Sequence, residues 1–221
     1  MPLPALQKII SSQSSSFPHI PHLQANPLAT VRVVNLILPL PPSQVHPEGF
    51  GYLIPRPVDG YPTDLSQTTG VGILGVVFDS CSLHQQDNPS VQNYYKESKH
   101  TKLTVMMGGP YAHPPLPSAL QGTASQPLPS LLQQILEELS SHLGTTLPQP
   151  TFWKIWDNQN CIPTLLPGHL GRVEEMNIAL DSKLPKEIRR RFVFAGASVG
   201  GVSIGDCVEA GKRAGSSWTD Q

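Results

Sequence analysis

Arg191-Phe-Val-Phe-Ala-Gly-Ala-Ser-Val-Gly-Gly-Val-Ser-Ile-Gly-Asp-Cys-Val-Glu-Ala-Gly-Lys-Arg-Ala214 is the stretch on which the fold turns. Residues 191–195 have the β-branched and aromatic character of a short buried strand, Gly196 to Gly205 form a glycine-rich turn, and Asp206 to Ala214 read as a helix. Asp206 is placed to cap that helix, with Glu209 reaching back. A helix amino terminus leaves backbone N–H groups unpaired and carries roughly half a positive charge, so this end would attract an anion or an electron-rich ring. Gly200 and Gly201 let the backbone approach a ligand closely. A tight connection without a ligand would use the same residues.

Gly196-Ala-Ser-Val-Gly200 also spells the nucleophile elbow G-x-S-x-G. An elbow serine needs an acid and then a histidine later in the chain, and the last histidine is His169. A serine hydrolase is therefore a distant third reading. Gly70-Val-Gly-Ile-Leu-Gly75 spells a dinucleotide fingerprint, but that motif must leave a strand and open a helix. Here Ile73 to Phe78 is itself strand-like, so these glycines are expected to serve strand packing.

Working towards the amino terminus, Leu170, Val173, Met176 and Leu180 share one face of a helix from about His169 to Leu180, and Pro185 ends the connection. Leu132, Ile135, Leu136, Leu139 and Leu143 follow helical spacing. Ser130 with Gln133 can form a capping box there, and Gly144 is a natural terminator. Lys102 to Met107, Phe50 to Ile54, Ile73 to Phe78 and Val31 to Leu38 read as strands, the last apolar on both faces and stopped by Pro39, Pro41 and Pro42. These four predict a mixed, mostly antiparallel sheet. Residues 79–101 and 110–128 have no burying period and read as loops. The fold class is α/β in the α+β sense. The expected division is a disordered or irregular segment 1–30, a partial substrate domain 31–150, a closing cofactor element 151–215 and a tail 216–221.

The 221 residues carry a formal charge of −1 with 14% charged residues and 24 prolines, leaving no basic stripe for nucleic acid and no polybasic cluster for anionic lipid. Cys81, Cys161 and Cys207 lack a CxxC, and His19 with His22 has no third ligand nearby, so no metal site is expected. A reducing compartment fits the cysteines. No apolar run approaches the ~20 residues of a membrane span. The first 30 residues are Ser- and Pro-rich without acids, but hold only Lys8 as a base, so an ordinary terminus is expected over a transit peptide.

Five segments, in order and spacing, resemble protoporphyrinogen oxidase: Gly49-Phe-Gly-Tyr-Leu-Ile-Pro55, Leu74-Gly-Val-Val-Phe-Asp-Ser80, Thr104-Val-Met-Met-Gly-Gly109, Asn160-Cys-Ile-Pro163 with Gly168-His169, and Ala195 to Gly211. The resemblance runs from about Val31 to Ala214. Val199 stands where the family is often aromatic, and the family's Gln-Tyr after Pro163 is absent.

The resemblance implies a fragment of an FAD-linked oxidase: a substrate-domain sheet with the closing strand, turn and helix of a Rossmann-type FAD domain. The amino-terminal FAD-binding half and most of a helical membrane-binding domain have no counterpart, so the chain alone is expected to lack FAD and activity. The implied reaction is oxidation of protoporphyrinogen IX to protoporphyrin IX in haem synthesis, with FAD as cofactor and dioxygen as oxidant. The implied setting is the mitochondrial inner membrane, with a homodimer in the full-length family. Gly196, Gly201, Val202, Ser203 and Ile204 match the flavin-contacting stretch, with Trp156 a looser match. Phe50 and Met106 match the tetrapyrrole pocket, although ordinary sheet core would suit both. No catalytic side chain is assigned. The alternative is an inactive remnant or accessory binding chain.

Overall fold

The computed structural model describes residues 3–13, 19–61, 70–83, 86, 94–111, 113–116, 119–190 and 192–219. In chain order the elements are α1 (Leu3–Gln13), β1 (Leu28–Leu38), α2 (Pro42–Val45), β2 (Gly51–Leu53), β3 (Ile73–Val77), α3 (Asp79–Ser82), α4 (Tyr94–Glu97), β4 (Thr101–Gly108), β5 (Ala119–Thr123), α5 (Ser130–Leu143), β6 (Phe152–Pro163), α6 (His169–Lys183), α7 (Lys186–Arg189) and α8 (Ile204–Thr219). They divide into a sheet unit, residues 30–159, and a helical unit, residues 1–29 with 160–221.

The sheet has strand order β2-β3-β4-β1-β6-β5. The β2–β3, β3–β4, β1–β4 and β5–β6 pairs are antiparallel, with β1 and β4 in register from Val31 opposite Gly108 to Leu38 opposite Thr101. Alternation sets the two faces apart. Val34, Leu36 and Leu38 of β1 meet Leu103, Val105 and Met107 of β4 in one buried cluster, joined by Trp153 and Ile155 of β6. The buried stripe of α5, Leu132, Ile135, Leu136 and Leu139, completes that core. Val31, Val33, Asn35 and Ile37, pointing to the other face, are only half-buried. The expectation of a strand buried on both faces is thus corrected: β1 is one-sided, as an antiparallel sheet permits.

Helix α5 ends at Gly144 in the left-handed conformation, φ 66°. Its start differs from expectation. Pro129 occupies the cap position without a side-chain bond, and Gln133 Nε2 instead donates to the Leu128 carbonyl at 3.2 Å. Two strands were not anticipated: β5, inside the stretch read as loop, and β6. Gly75 lies within β3, where a Cβ would meet the Tyr52 carbonyl oxygen at 2.8 Å, so this glycine serves strand packing as expected.

In the helical unit, α1 occupies part of the segment expected to be irregular. Leu3, Ile20, Leu23, Met176 and Leu180 form its buried cluster, with Phe192, Phe194 and Val199 packed against it. Val173 is half-buried, but Leu170 is exposed and does not share the buried face. Residues 192–195 form no strand, and Arg191 lies outside the described residues. Their apolar character is satisfied differently: Phe192 and Phe194 meet edge to face at 5.3 Å and pack against the small cluster.

Candidate cofactor and substrate site

The Val199 and Gly200 N–H groups both donate to the Gly196 carbonyl, at 3.0 and 3.2 Å, closing a tight turn. Gly196, at φ 100°, lies where a Cβ is disfavoured, although an added Cβ would meet nothing within 4 Å. The chain passes Gly201, φ 141°, and enters α8 at Ile204.

The helix start is built by Ser203 rather than Asp206. Asp206 N–H donates to Ser203 Oγ at 3.0 Å, while the Asp206 carboxylate accepts the Ser203 N–H at 3.2 Å and the Ser203 hydroxyl at 2.7 Å. This is a reciprocal capping box shifted by one turn from the expected one. Glu209 faces Arg213 at 3.9 Å and does not reach back. Gly201 belongs to the same arrangement, since a Cβ there would lie 2.5 Å from Asp206 Oδ2.

This corrects how the turn can meet a ligand. Of the three amides expected to face one, that of Ser203 is already bound. The N–H groups of Val202 and Ile204 have no acceptor among the described residues, and both side chains are exposed, at 51% and 85%. The Asp206 carboxylate offsets part of the positive helix end, so donated hydrogen bonds, more than net field, are what the turn offers. Beside it lies a depression of about 230 Å³ lined by Phe194, Val199, Gly200, Ala210, Arg213 and Ala214. Ser198 is buried and hydrogen-bonds no histidine among the described residues.

Phe50, Met106 and Trp156 stand in the sheet unit. Phe50 is 72% exposed and Met106 half-buried. The register aligns Leu53, Gly75, Met106 and Val33 across four strands, and the Leu53 side chain lies over Gly75. Leu53, exposed and apolar, was not singled out from sequence; its place opposite Gly75 is what marks it. On the same face as Met106, Asn35 Nδ2 donates to Thr104 Oγ1 at 2.8 Å, and that hydroxyl donates to Asp79 Oδ2 at 2.6 Å. Trp156 is partly exposed, and Lys154 Nζ sits 3.9 Å from its ring centroid.

A larger open cavity, about 1230 Å³, lies elsewhere in the sheet unit beside Tyr61, Tyr111, Glu138 and His142 and contains none of the expected site residues. Next to it, Tyr52 hydroxyl and His142 Nδ1 are 3.1 Å apart. Burial, with Glu138 nearby, pushes the Tyr52 hydroxyl up to about 12. Among the described residues no three His, Cys, Asp or Glu side chains are grouped to hold a metal, and no helix is long and apolar enough to cross a membrane.

The whole chain superposes on 40% of a chain from Exiguobacterium sp. 255-15 that is provisionally named a protoporphyrinogen oxidase, with TM-score 0.61 and 18% identity. The fold is therefore α+β and matches one part of a larger oxidase-like chain. No family model matches. In sequence the chain is similar to protoporphyrinogen oxidases: that of Homo sapiens is 26% identical over 215 residues, 97% of this chain, that of Bos taurus 28% over 216 residues, and that of Schizosaccharomyces pombe 30% over 185 residues. The chain spans 31% to 38% of the length of these relatives.

Proposed function

We propose that this chain supplies part of a protoporphyrinogen oxidase, acting in the oxidation of protoporphyrinogen IX to protoporphyrin IX with FAD as cofactor. The observation that carries the reading is similarity along 97% of the chain to a protein of that name. Bound FAD supplies the acceptor for hydride equivalents, with dioxygen as the final oxidant and hydrogen peroxide as its product. The chain's own residues bind and orient. Gly196 leaves open space, and the Val202 and Ile204 amides would donate to the ring system, where fixed donors favour developing negative charge. Ser203 and Gly201 act indirectly, by holding the cap that aims those amides. Met106 and Leu53, aligned on one face, offer the apolar and thioether contacts a tetrapyrrole needs, and the exposed Phe50 is proposed as a further apolar contact. Trp156 is proposed as a further flavin contact. By the same reading the enzyme works at the mitochondrial inner membrane, with membrane attachment provided outside this chain.

Exchanging this chain for the matching segment of the Homo sapiens relative tests the proposal. The hybrid is expected to retain stoichiometric flavin and to form fluorescent porphyrin. A folded hybrid without either would overturn it.

A further inference from the structure

Three polar side chains in the helical unit form a chain of hydrogen bonds with one consistent direction. Asn26 Oδ1 accepts from the Leu166 N–H and from Arg172 Nη2, both at 3.3 Å. That fixes the other end of the amide, Nδ2, as the donor facing His169 Nδ1 at 3.0 Å. His169 Nε2 then faces the Val199 carbonyl oxygen at 3.0 Å, and only an N–H can satisfy a carbonyl. This pattern puts the His169 donor at Nε2 and its acceptor at Nδ1. Asn26 and His169 are both buried. Arg172 is itself held by the Pro167 and Leu166 carbonyls at 2.8 and 2.9 Å.

We infer that Asn26 and His169 are a positioning pair that sets where the glycine turn lies, through the Val199 carbonyl. Val199 opens the stretch Val199-Gly-Gly-Val202, in which Gly200 is tied back by its N–H to the Gly196 carbonyl while Val202 is exposed. Because a buried polar group without its partner is costly, the pair favours one turn position over others. The consequence for cofactor orientation rests on the flavin reading above, whereas the positioning itself does not.

The test uses amide exchange in this chain with no flavin added. In His169→Ala the Val199 and Gly200 amides are expected to exchange about tenfold faster, as suits loss of one buried hydrogen bond. The Leu184 amide, bonded to Leu180 at the far end of α6, should keep its rate. His169→Gln, whose amide nitrogen can reach the Val199 oxygen, should return the turn to within about threefold of the original. Unchanged turn amides in His169→Ala would overturn the inference. Should that variant fail to fold, nitrogen NMR of the unsubstituted chain decides: a lone pair on Nδ1 supports the pair, and a hydrogen on Nδ1 overturns it. If exchange behaves as expected while the hybrid enzyme holds no flavin, the flavin reading fails and the positioning pair stands. If the hybrid holds flavin, His169→Ala in it should release flavin more readily than His169→Gln.

Discussion

Arg32 donates from Nε to Asp157 Oδ1 at 3.0 Å across the sheet unit, with both side chains almost wholly withdrawn from water. Further bonds hold the pair: Arg32 Nη2 donates to the Pro114 carbonyl at 2.8 Å, and Asp157 also accepts from the Leu116 N–H at 3.0 Å and from Gln159. Breaking such a pair from one side leaves a buried charge uncompensated. Asp157→Asn is expected to cost about 3–5 kcal/mol in urea unfolding, whereas the double change Arg32→Met with Asp157→Leu should return most of it. A double variant no better than the single one would show that the pair does not act as a unit.

The same carboxylate carries a pH dependence. Burial alone would raise its pKa, but hydrogen bonds from the Leu116 N–H, Arg32 and Gln159 outweigh that and hold it below the ordinary aspartate value. A lowered folded pKa means stability that is complete above the unfolded value, about 3.9, and is lost as pH falls through the folded value. Between about pH 5 and the folded value the original chain should therefore lose more stability, counted from its own value at neutral pH, than Asp157→Asn, which has no carboxylate to protonate there. Superimposable acid limbs would contradict this origin.

The sheet core was legible where alternation was uninterrupted, as along β4, and α5 was legible because a one-sided leucine stripe ends at Gly144. Strand β6 escaped notice because its polar run Asp157 to Asn160 masks the alternation of Trp153 and Ile155, and much of that run is exposed. Strand β5 buries only Gly122, so no apolar signal exists to read. The stretch 191–195 misled for the opposite reason: its phenylalanines cover a small cluster without joining a sheet. At the turn, Ser203 with Asp206 and Asp206 with Glu209 are two capping boxes three residues apart. The choice between them rests on three-dimensional geometry, in which Asp206 bonds backwards and Glu209 faces Arg213.

That choice makes the two turn glycines separable. Alanine at Gly201 would meet both a positive φ and the Asp206 carboxylate, whereas alanine at Gly196 meets the φ alone. Gly201→Ala is expected to cost about 1–3 kcal/mol of strain plus about 1 kcal/mol of lost cap, and Gly196→Ala only the strain. Helicity and urea midpoints of the two variants check this. On the proposed flavin reading, flavin retention in the hybrid should reverse the order for larger side chains, since Gly196→Val would fill the open space beside Gly196 that the flavin would take. Equal effects in both assays would argue against separate roles.

Ser198 supplies a control on the nucleophile-elbow reading. It is buried without a histidine partner among the described residues, so Ser198→Ala in the hybrid should leave porphyrin formation largely intact. Loss of turnover with flavin still bound would reopen a chemical role for this hydroxyl.

His46 sets the pH dependence nearer neutrality. It is buried in the sheet unit, stacked on Phe78 at 4.0 Å with a 16° interplanar angle, and Tyr95 is tilted against it at 5.7 Å. Nδ1 donates to the Pro47 carbonyl at 2.8 Å, which leaves Nε2 buried with no hydrogen-bond partner among the described residues. Burial pushes its pKa below the usual 6.5, and the Pro47 bond opposes only part of that. The unfolded chain therefore binds a proton before the folded one does. Stability from this group is complete above about 6.5 and is lost as pH falls towards the folded value. His113 is shifted the same way, by burial first and by Arg32 second, so it must be separated. Urea midpoints should fall between pH 7.5 and pH 5.5 in the original chain, less so in His46→Phe, which keeps the stacking against Phe78 without the titration. His113→Asn should remove a further part. An undiminished fall in the double variant would place the titration on other groups.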